Sequence, residues 1–65
     1  MDKFKKELLL GKYKSAYSPL YEEFVRIIKV RTDSDNEPII DAIVPSNKQN
    51  VTLFRVTELQ DFSKT

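Results

Sequence analysis

The sequence contains no cysteine, no histidine and no tryptophan, and its only glycine is Gly11. Without cysteine there are no disulfide bonds and no thiol nucleophile. Without histidine and cysteine the usual zinc sites are excluded, as is catalysis that depends on an imidazole. A phosphate-binding loop rich in glycine is excluded as well. These absences predict a protein that is not an enzyme and that binds no metal and no cofactor.

The rest of the composition is typical of one small soluble domain. The chain has 65 residues, of which 40% are hydrophobic and 32% are charged, so we expect a single domain over 1–65 with a thin core. No apolar run approaches the roughly 20 residues that span a bilayer. We therefore expect a cytoplasmic protein that does not contact a membrane.

The charges are distributed unevenly along the chain. Residues 1–31 carry eight basic and four acidic groups, whereas residues 32–65 carry three basic and six acidic groups. Such an asymmetry predicts a basic contact face if the two halves do not intermix in the fold.

The first segment, residues 2–10, is predicted to be a short helix. Asp2 can cap it, and Phe4 and Leu8 form an apolar pair one helical turn apart. A strand over 7–17 is the open alternative.

The second segment carries conflicting patterns. Ser18 and Pro19 predict a helical turn over 18–23, because a hydroxyl cap followed by proline is a common helix opening. The β-branched residues that follow favour a strand over about 24–32. A helix over 19–30 remains an alternative, since neither the helical nor the strand period fits without exceptions.

The second half of the chain predicts an antiparallel hairpin. Two β-branched runs, 39–44 and 51–56, are bounded by turn residues. The acidic segment 33–37 begins like a calcium loop but lacks its glycine and its final glutamate, so we expect a solvated turn. A helical turn is expected over 57–62. On the first run one face is predicted to hold Ile40, Ala42 and Val44, while Asp41 interrupts the other. On the second run one face is predicted to hold Thr52, Phe54 and Val56, and the other Val51, Leu53 and Arg55.

Apolar side chains on both faces of these strands require cover on two sides. Such a sheet is expected either in a closed barrel or under a packed helix.

Three short motifs resemble the small SH3-like β-barrel domains that are common among uncharacterised bacterial and phage proteins. These are Gly11-Lys12-Tyr13, Leu53-Phe54-Arg55-Val56 and Glu58-Leu59-Gln60-Asp61-Phe62. The resemblance covers most of the chain and implies a mainly β (or α+β) fold. It implies a small antiparallel barrel of three to five short strands with short helical segments near the N-terminus, at 18–23 and at 57–62. No functional residue is implied, because these families lack a shared site.

Aromatic and basic side chains lie close together over residues 12–21. Tyr13, Tyr17 and Tyr21 lie four residues apart, next to Lys12 and Lys14. Tyrosine is a frequent anchor in protein interfaces because it combines an apolar ring with a polar tip. We predict that these five residues bind a partner; the alternatives are that the rings cover the core or stack on single-stranded nucleic acid.

A second candidate surface is a basic stripe of Arg26, Lys29, Arg31 and Arg55. If these residues align across neighbouring strands, they can contact phosphates. Cross-strand ion pairs with acidic neighbours are the competing expectation.

The sequence thus predicts a non-catalytic interaction or regulatory protein that binds a host or partner macromolecule, most readily another protein. It is compatible with a phage or mobile-element origin. The alternatives are a small β-barrel that binds nucleic acid and a structural accessory subunit. A homodimer is also open, because a thin core and an exposed hairpin edge favour association.

Overall fold

The computed structural model describes residues 3–48 and 50–65. In this part of the chain, five strands form one antiparallel sheet in the order β4-β3-β2-β1-β5. The prediction of a mainly β fold with three to five short antiparallel strands is confirmed. Because β4 and β5 are its two edges, the sheet is open. The elements are α1 (Lys3–Leu9), β1 (Ser15–Ser18), β2 (Glu23–Thr32), β3 (Pro38–Ile43), β4 (Val51–Arg55) and β5 (Gln60–Ser63), with 3-10 turns at Pro45–Asn47 and Val56–Glu58.

The first segment is the predicted helix, and the alternative strand over 7–17 is wrong except at 15–17, which lie in β1. The helix ends in a Schellman motif, in which the Gly11 amide donates to the Leu8 carbonyl at 3.0 Å and the Lys12 amide donates to the Glu7 carbonyl at 3.1 Å. Gly11 has a φ of 78°, which glycine adopts without a steric penalty. The predicted cap, Asp2, lies outside the described residues. None of the helices in the described ranges has the length and apolar character needed to cross a membrane.

The predicted helical turn over 18–23 is wrong. The Ser18 hydroxyl does accept a hydrogen bond from the Tyr21 amide at 3.2 Å, as a helix cap would. No helix follows, because Glu22 has a φ of 55° and turns the chain into β2. The alternative helix over 19–30 is wrong as well, and the β-branched residues form the strand that they favour.

A β-bulge in β2 explains the irregular pattern of that strand. Ile27 pairs with Ala42 and Lys29 pairs with Asp41, so Ile28 and Lys29 together oppose a single residue of β3. The extra residue reverses the alternation of side chains. Lys29 is therefore exposed instead of being directed into the core.

The hairpin of β3 and β4 is confirmed with the predicted faces. Ile40, Ala42 and Val44 are fully buried and Phe54 is nearly so, whereas Val51 and Leu53 are exposed.

The predicted helical segment over 57–62 is reduced to one 3-10 turn, Val56–Glu58, followed by β5. The Glu58 carboxylate accepts a hydrogen bond from the Arg55 amide at 2.7 Å and so closes this turn. β5 then pairs with β1. Its backbone is irregular, since Asp61 has a φ of 51°.

The core lies on one side of the sheet, which we call the inner face. It is covered by α1, which contacts β2, and by residues after β4. Phe4, Tyr13 and Phe62 pack against its margin. The buried apolar residues are Leu8, Ala16, Val25, Ile27, Ile40, Ala42, Val44, Phe54 and Leu59.

Candidate interaction surface

The opposite side of β1 to β4, which we call the outer face, carries the side chains that alternate with the buried ones. The register places them in rows across the strands, such as Arg26 beside Ile43 and Ile43 beside Val51. The outer face consists of Tyr17, Phe24, Arg26, Ile28, Lys29, Arg31, Ile39, Asp41, Ile43, Val51, Leu53 and Arg55.

Large apolar side chains on the outer face are open to solvent. The exposed fractions are 55% for Phe24, 52% for Ile28, 59% for Val51 and 57% for Leu53. Scattered exposed apolar residues are ordinary, whereas these four share one sheet face, which makes that face the candidate interaction surface.

Two of the four predicted cations are held in ion pairs. The Arg31 guanidinium donates two hydrogen bonds to the Asp41 carboxylate, at 3.1 and 3.2 Å. The Arg55 guanidinium donates to the Asp33 carboxylate at 2.6 Å. These hydrogen bonds raise the pKa of both arginines. Among the described residues of this surface, the positive charge without an acidic partner is that of Arg26 and Lys29.

The structure places the four predicted cations on one face, and two of them form ion pairs with acidic residues, which was the competing expectation. Arg26, Lys29, Arg31 and Arg55 all lie on the outer face, across β2 and β4. Within residues 3–48 and 50–65, no ion pair involves Arg26 or Lys29. The stripe thus contains two paired arginines and two cations available to a ligand.

The three tyrosines are not brought together. Tyr13 packs in an aromatic cluster with two phenylalanines, and Tyr21 packs edge-on against Phe54 with ring centroids 6.1 Å apart. Tyr17 alone lies on the outer face, where its ring contacts Phe24 at a centroid distance of 5.3 Å. Their spacing of four would align them on a helix, but here they lie on a loop, a strand and a turn.

The two neighbouring lysines make local contacts. The Lys12 ammonium lies 3.9 Å from the Glu7 carboxylate. The Lys14 ammonium donates to the Gly11 carbonyl at 3.2 Å. Both side chains remain exposed near the end of α1. Their role in binding a partner stays a prediction.

Sequence reasoning did not select the apolar members of the outer face as site residues. The observation that could have identified them is the apolar character of both faces of the hairpin. One face covers the core, and the other remains exposed in the described ranges, so Val51 and Leu53 are available for contact.

A second concave surface lies beside α1. It is a groove of about 410 Å³ with lysines at its rim and exposed leucines along it. The groove is lined by Lys5, Lys6, Leu9, Leu10, Thr32 and Asn36.

The acidic segment after β2 forms a turn. The Asp33 carboxylate accepts hydrogen bonds from the amides of Asp35 and Glu37, at 2.8 and 3.0 Å. In the ranges that the structure describes, no group of three acidic residues is placed to hold a metal ion. The oxygen atoms of this segment serve the turn itself.

Comparisons with known proteins find no match for this chain among protein-family models, curated proteins or solved structures.

Proposed function

We propose that this chain is a non-catalytic interaction module that binds another protein through its outer face. The observation that carries the proposal is the exposure of Phe24, Ile28, Val51 and Leu53 on one sheet surface, each more than half open to solvent. Covering these side chains with a partner removes apolar surface from water and so favours association. Tyr17 extends the same surface beside Phe24.

A regulatory role is part of the same proposal, in which the chain acts by occupying a surface of a host macromolecule. The cytoplasmic location and the bacterial or phage origin expected from the sequence are part of this proposal.

For the fold we propose an SH3-like arrangement in which the sheet curls without closing. A four-stranded meander, a bulge that bends β2, and a 3-10 turn before β5 returns to β1 support it. Distances measured by NMR between β4 and β5 test it. Close approach of these edges without pairing supports the curled, SH3-like sheet, whereas edges far apart on a flat sheet contradict it.

The binding proposal is tested by removing the apolar contacts without disturbing the core. Ile28→Ser combined with Leu53→Ser changes two exposed side chains on the outer face. We expect this variant to fold and to lose its partner in affinity capture from a lysate of the source cell. Leu20→Ser is the matched control, because Leu20 is 76% exposed in the turn between β1 and β2.

The control variant is expected to retain the partner. Unchanged capture by the folded double variant would remove the outer face as the binding surface.

A second candidate function is nucleic-acid binding, favoured by the placement of Arg26, Lys29, Arg31 and Arg55 on one face. It predicts an affinity for DNA or RNA that falls steeply with salt. Nuclease treatment of the lysate separates the two functions. A partner that survives the treatment supports the protein-binding proposal, and one that disappears supports nucleic-acid binding.

A further inference from the structure

The cations of the outer face that have no ion pair lie on one strand, with the exposed Ile28 between them. β2 carries Arg26 and Lys29, which stand without an ion pair in the described ranges. β3 and β4 carry the apolar side chains of Ile43, Val51 and Leu53. A ligand that covers this surface must be apolar along one line and negatively charged along the flank that meets β2.

The charge of the surface disfavours a second copy of this chain as the occupant. Two outer faces packed with β2 on β2 would bring Arg26 and Lys29 of one copy close to the same cations of the other, and like charges across an interface disfavour association. Packed with β2 on β4, they would place these cations against Val51 and Leu53. Asp41, the central carboxylate of the face, is already bound to Arg31 at 3.1 Å. It offers no compensating negative charge.

The exposed apolar side chains beside Lys29 are aliphatic, which favours a protein over nucleic acid there, whereas Phe24 lies beside Arg26. Ile28, Val51 and Leu53 provide no aromatic plane on which a base can stack, and stacking is the usual apolar contact with single strands. The aromatic pair of Tyr17 and Phe24 lies at one end of the surface, on β1 and β2.

The edge of β4 is the competing docking place, and it is nearly closed to an added strand. The Arg55 amide donates its hydrogen bond to the Glu58 carboxylate at 2.7 Å. It therefore points away from β3, although Arg55 is paired with Ile39. By alternation the amides of Leu53 and Val51 also face the free edge. Only these two residues can then receive a sixth strand, which is too short for a stable pairing.

The dimensions of the outer face fit a helix laid along the strands. Three strands spaced by about 4.8 Å give a width of roughly 10 Å, close to the diameter of a helix with its side chains. Because of the bulge, Arg26 and Lys29 lie opposite Ile43 and Asp41, which are two residues apart on β3, so they are separated by about 7 Å along the sheet. Carboxylates four residues apart on a helix, about 6 Å, match that separation.

We propose that the outer face binds an acidic amphipathic helix of another protein, with its apolar stripe on β3 and β4 and its carboxylates against Arg26 and Lys29. This inference rests on the proposed function and specifies the chemical class of the partner. It uses a common mode of recognition, in which the apolar face of a helix docks on a complementary surface.

The test uses a synthetic helical peptide of about 18 residues with one leucine stripe and glutamates on both flanks. We expect it to bind the whole chain and to shift the amide NMR signals of β2, β3 and β4. The double substitution Arg26→Glu and Lys29→Glu is expected to weaken binding about tenfold or more, and to create binding of the same peptide with lysines replacing the glutamates.

The matched control is Lys5→Glu combined with Lys6→Glu, which changes the net charge equally but lies on α1. This control is expected to bind the acidic peptide as the unchanged protein does. Circular dichroism establishes that both variants are folded before binding is compared.

Several binding results would overturn the proposal. These are equal binding of the acidic peptide by the outer-face variant, equal binding of a scrambled peptide of the same composition, and displacement of the peptide by an oligothymidylate probe. A failure of the peptide to bind would also overturn it. If the peptide does not bind but capture from the lysate is still lost in the Ile28→Ser and Leu53→Ser variant, the proposed function stands. The partner then has a different chemistry from an acidic helix.

Discussion

At the scale of single residues, Asp33 is the clearest case of a side chain that fixes local structure. Its carboxylate accepts two backbone amides of the following turn and the guanidinium of Arg55 on β4. These contacts lower the pKa of Asp33 to about 2. The hydrogen bond from Arg55 is the largest cause, followed by the hydrogen bonds from the two amides. The turn between β2 and β3 is thereby attached to β4.

This pKa predicts a specific dependence of stability on pH. The folded value of about 2 lies below the unfolded value of about 3.9, so the stabilisation is present above pH 4 and is lost as the pH falls towards 2. Asp33→Asn is expected to have a lower melting temperature than the unchanged protein at pH 7, with the difference disappearing near pH 2.

Thermal unfolding followed by circular dichroism between pH 2 and 7 measures this difference. Asp35→Asn is the matched control, because Asp35 is exposed in the same turn. A pH-independent gap between Asp33→Asn and the unchanged protein would contradict the assignment.

At the scale of elements, the bulge in β2 determines which side chains belong to the core. Before the bulge Ile27 is directed inwards, and after it Val30 packs against the core while Lys29 is exposed. Continuous alternation would bury Lys29 and expose Val30. The bulge therefore makes a strand with charges at irregular spacing compatible with a one-sided core.

The bulge predicts that substitutions at two neighbouring positions lower the free energy of unfolding by different amounts. Val30→Ala is expected to lower the free energy of unfolding by about 1.5 kcal/mol, because it removes partly buried methyl groups. Lys29→Ala is expected to change it by less than about 0.5 kcal/mol, since the site is on the surface. Urea denaturation of both variants measures the two values. The reverse order would show that β2 runs without the bulge.

Elements were predictable where local patterns agree with the tertiary fold. β3 and β4 have β-branched runs between turn residues, and their faces follow from alternation alone. The bulge could not be predicted, because it depends on how Ile28 and Lys29 share one partner on β3. β5 was missed because Gln60 and Asp61 carry no β-branched or apolar signal, and the strand is fixed by pairing with β1.

Some residues of the candidate surface could likewise be placed from the sequence, and others could not. The cations Arg26 and Arg55 could be placed on one face from strand alternation. The tyrosines could not be placed, because they lie on a loop, a strand and a turn whose relative positions depend on the tertiary fold. The cap at Ser18 forms its hydrogen bond, yet Glu22 adopts a left-handed conformation that no local pattern indicates.

At the scale of the whole molecule, the two ends of the described chain meet at one margin of the core. Phe4 of α1 packs against Phe62 of β5 with ring centroids 5.0 Å apart, and Tyr13 lies 5.8 Å from Phe62. The Lys64 ammonium reaches the Glu7 carboxylate at 3.0 Å. β5 has one strand neighbour, β1, so these contacts couple its stability to that of α1.

This coupling predicts that α1 and β5 open together. Phe62→Ala is expected to lower the free energy of unfolding by about 2 kcal/mol, because a partly buried ring leaves a cavity beside two others. Hydrogen exchange should then accelerate in α1 and β5 alike, while amides of the β2–β3 pair keep their protection. Phe24→Ala is the matched control, since Phe24 is 55% exposed and its loss is expected to cost less than about 1 kcal/mol. If exchange in α1 stayed unchanged in Phe62→Ala, the helix would be held by its contact with β2 alone, and the two ends of the fold would be independent.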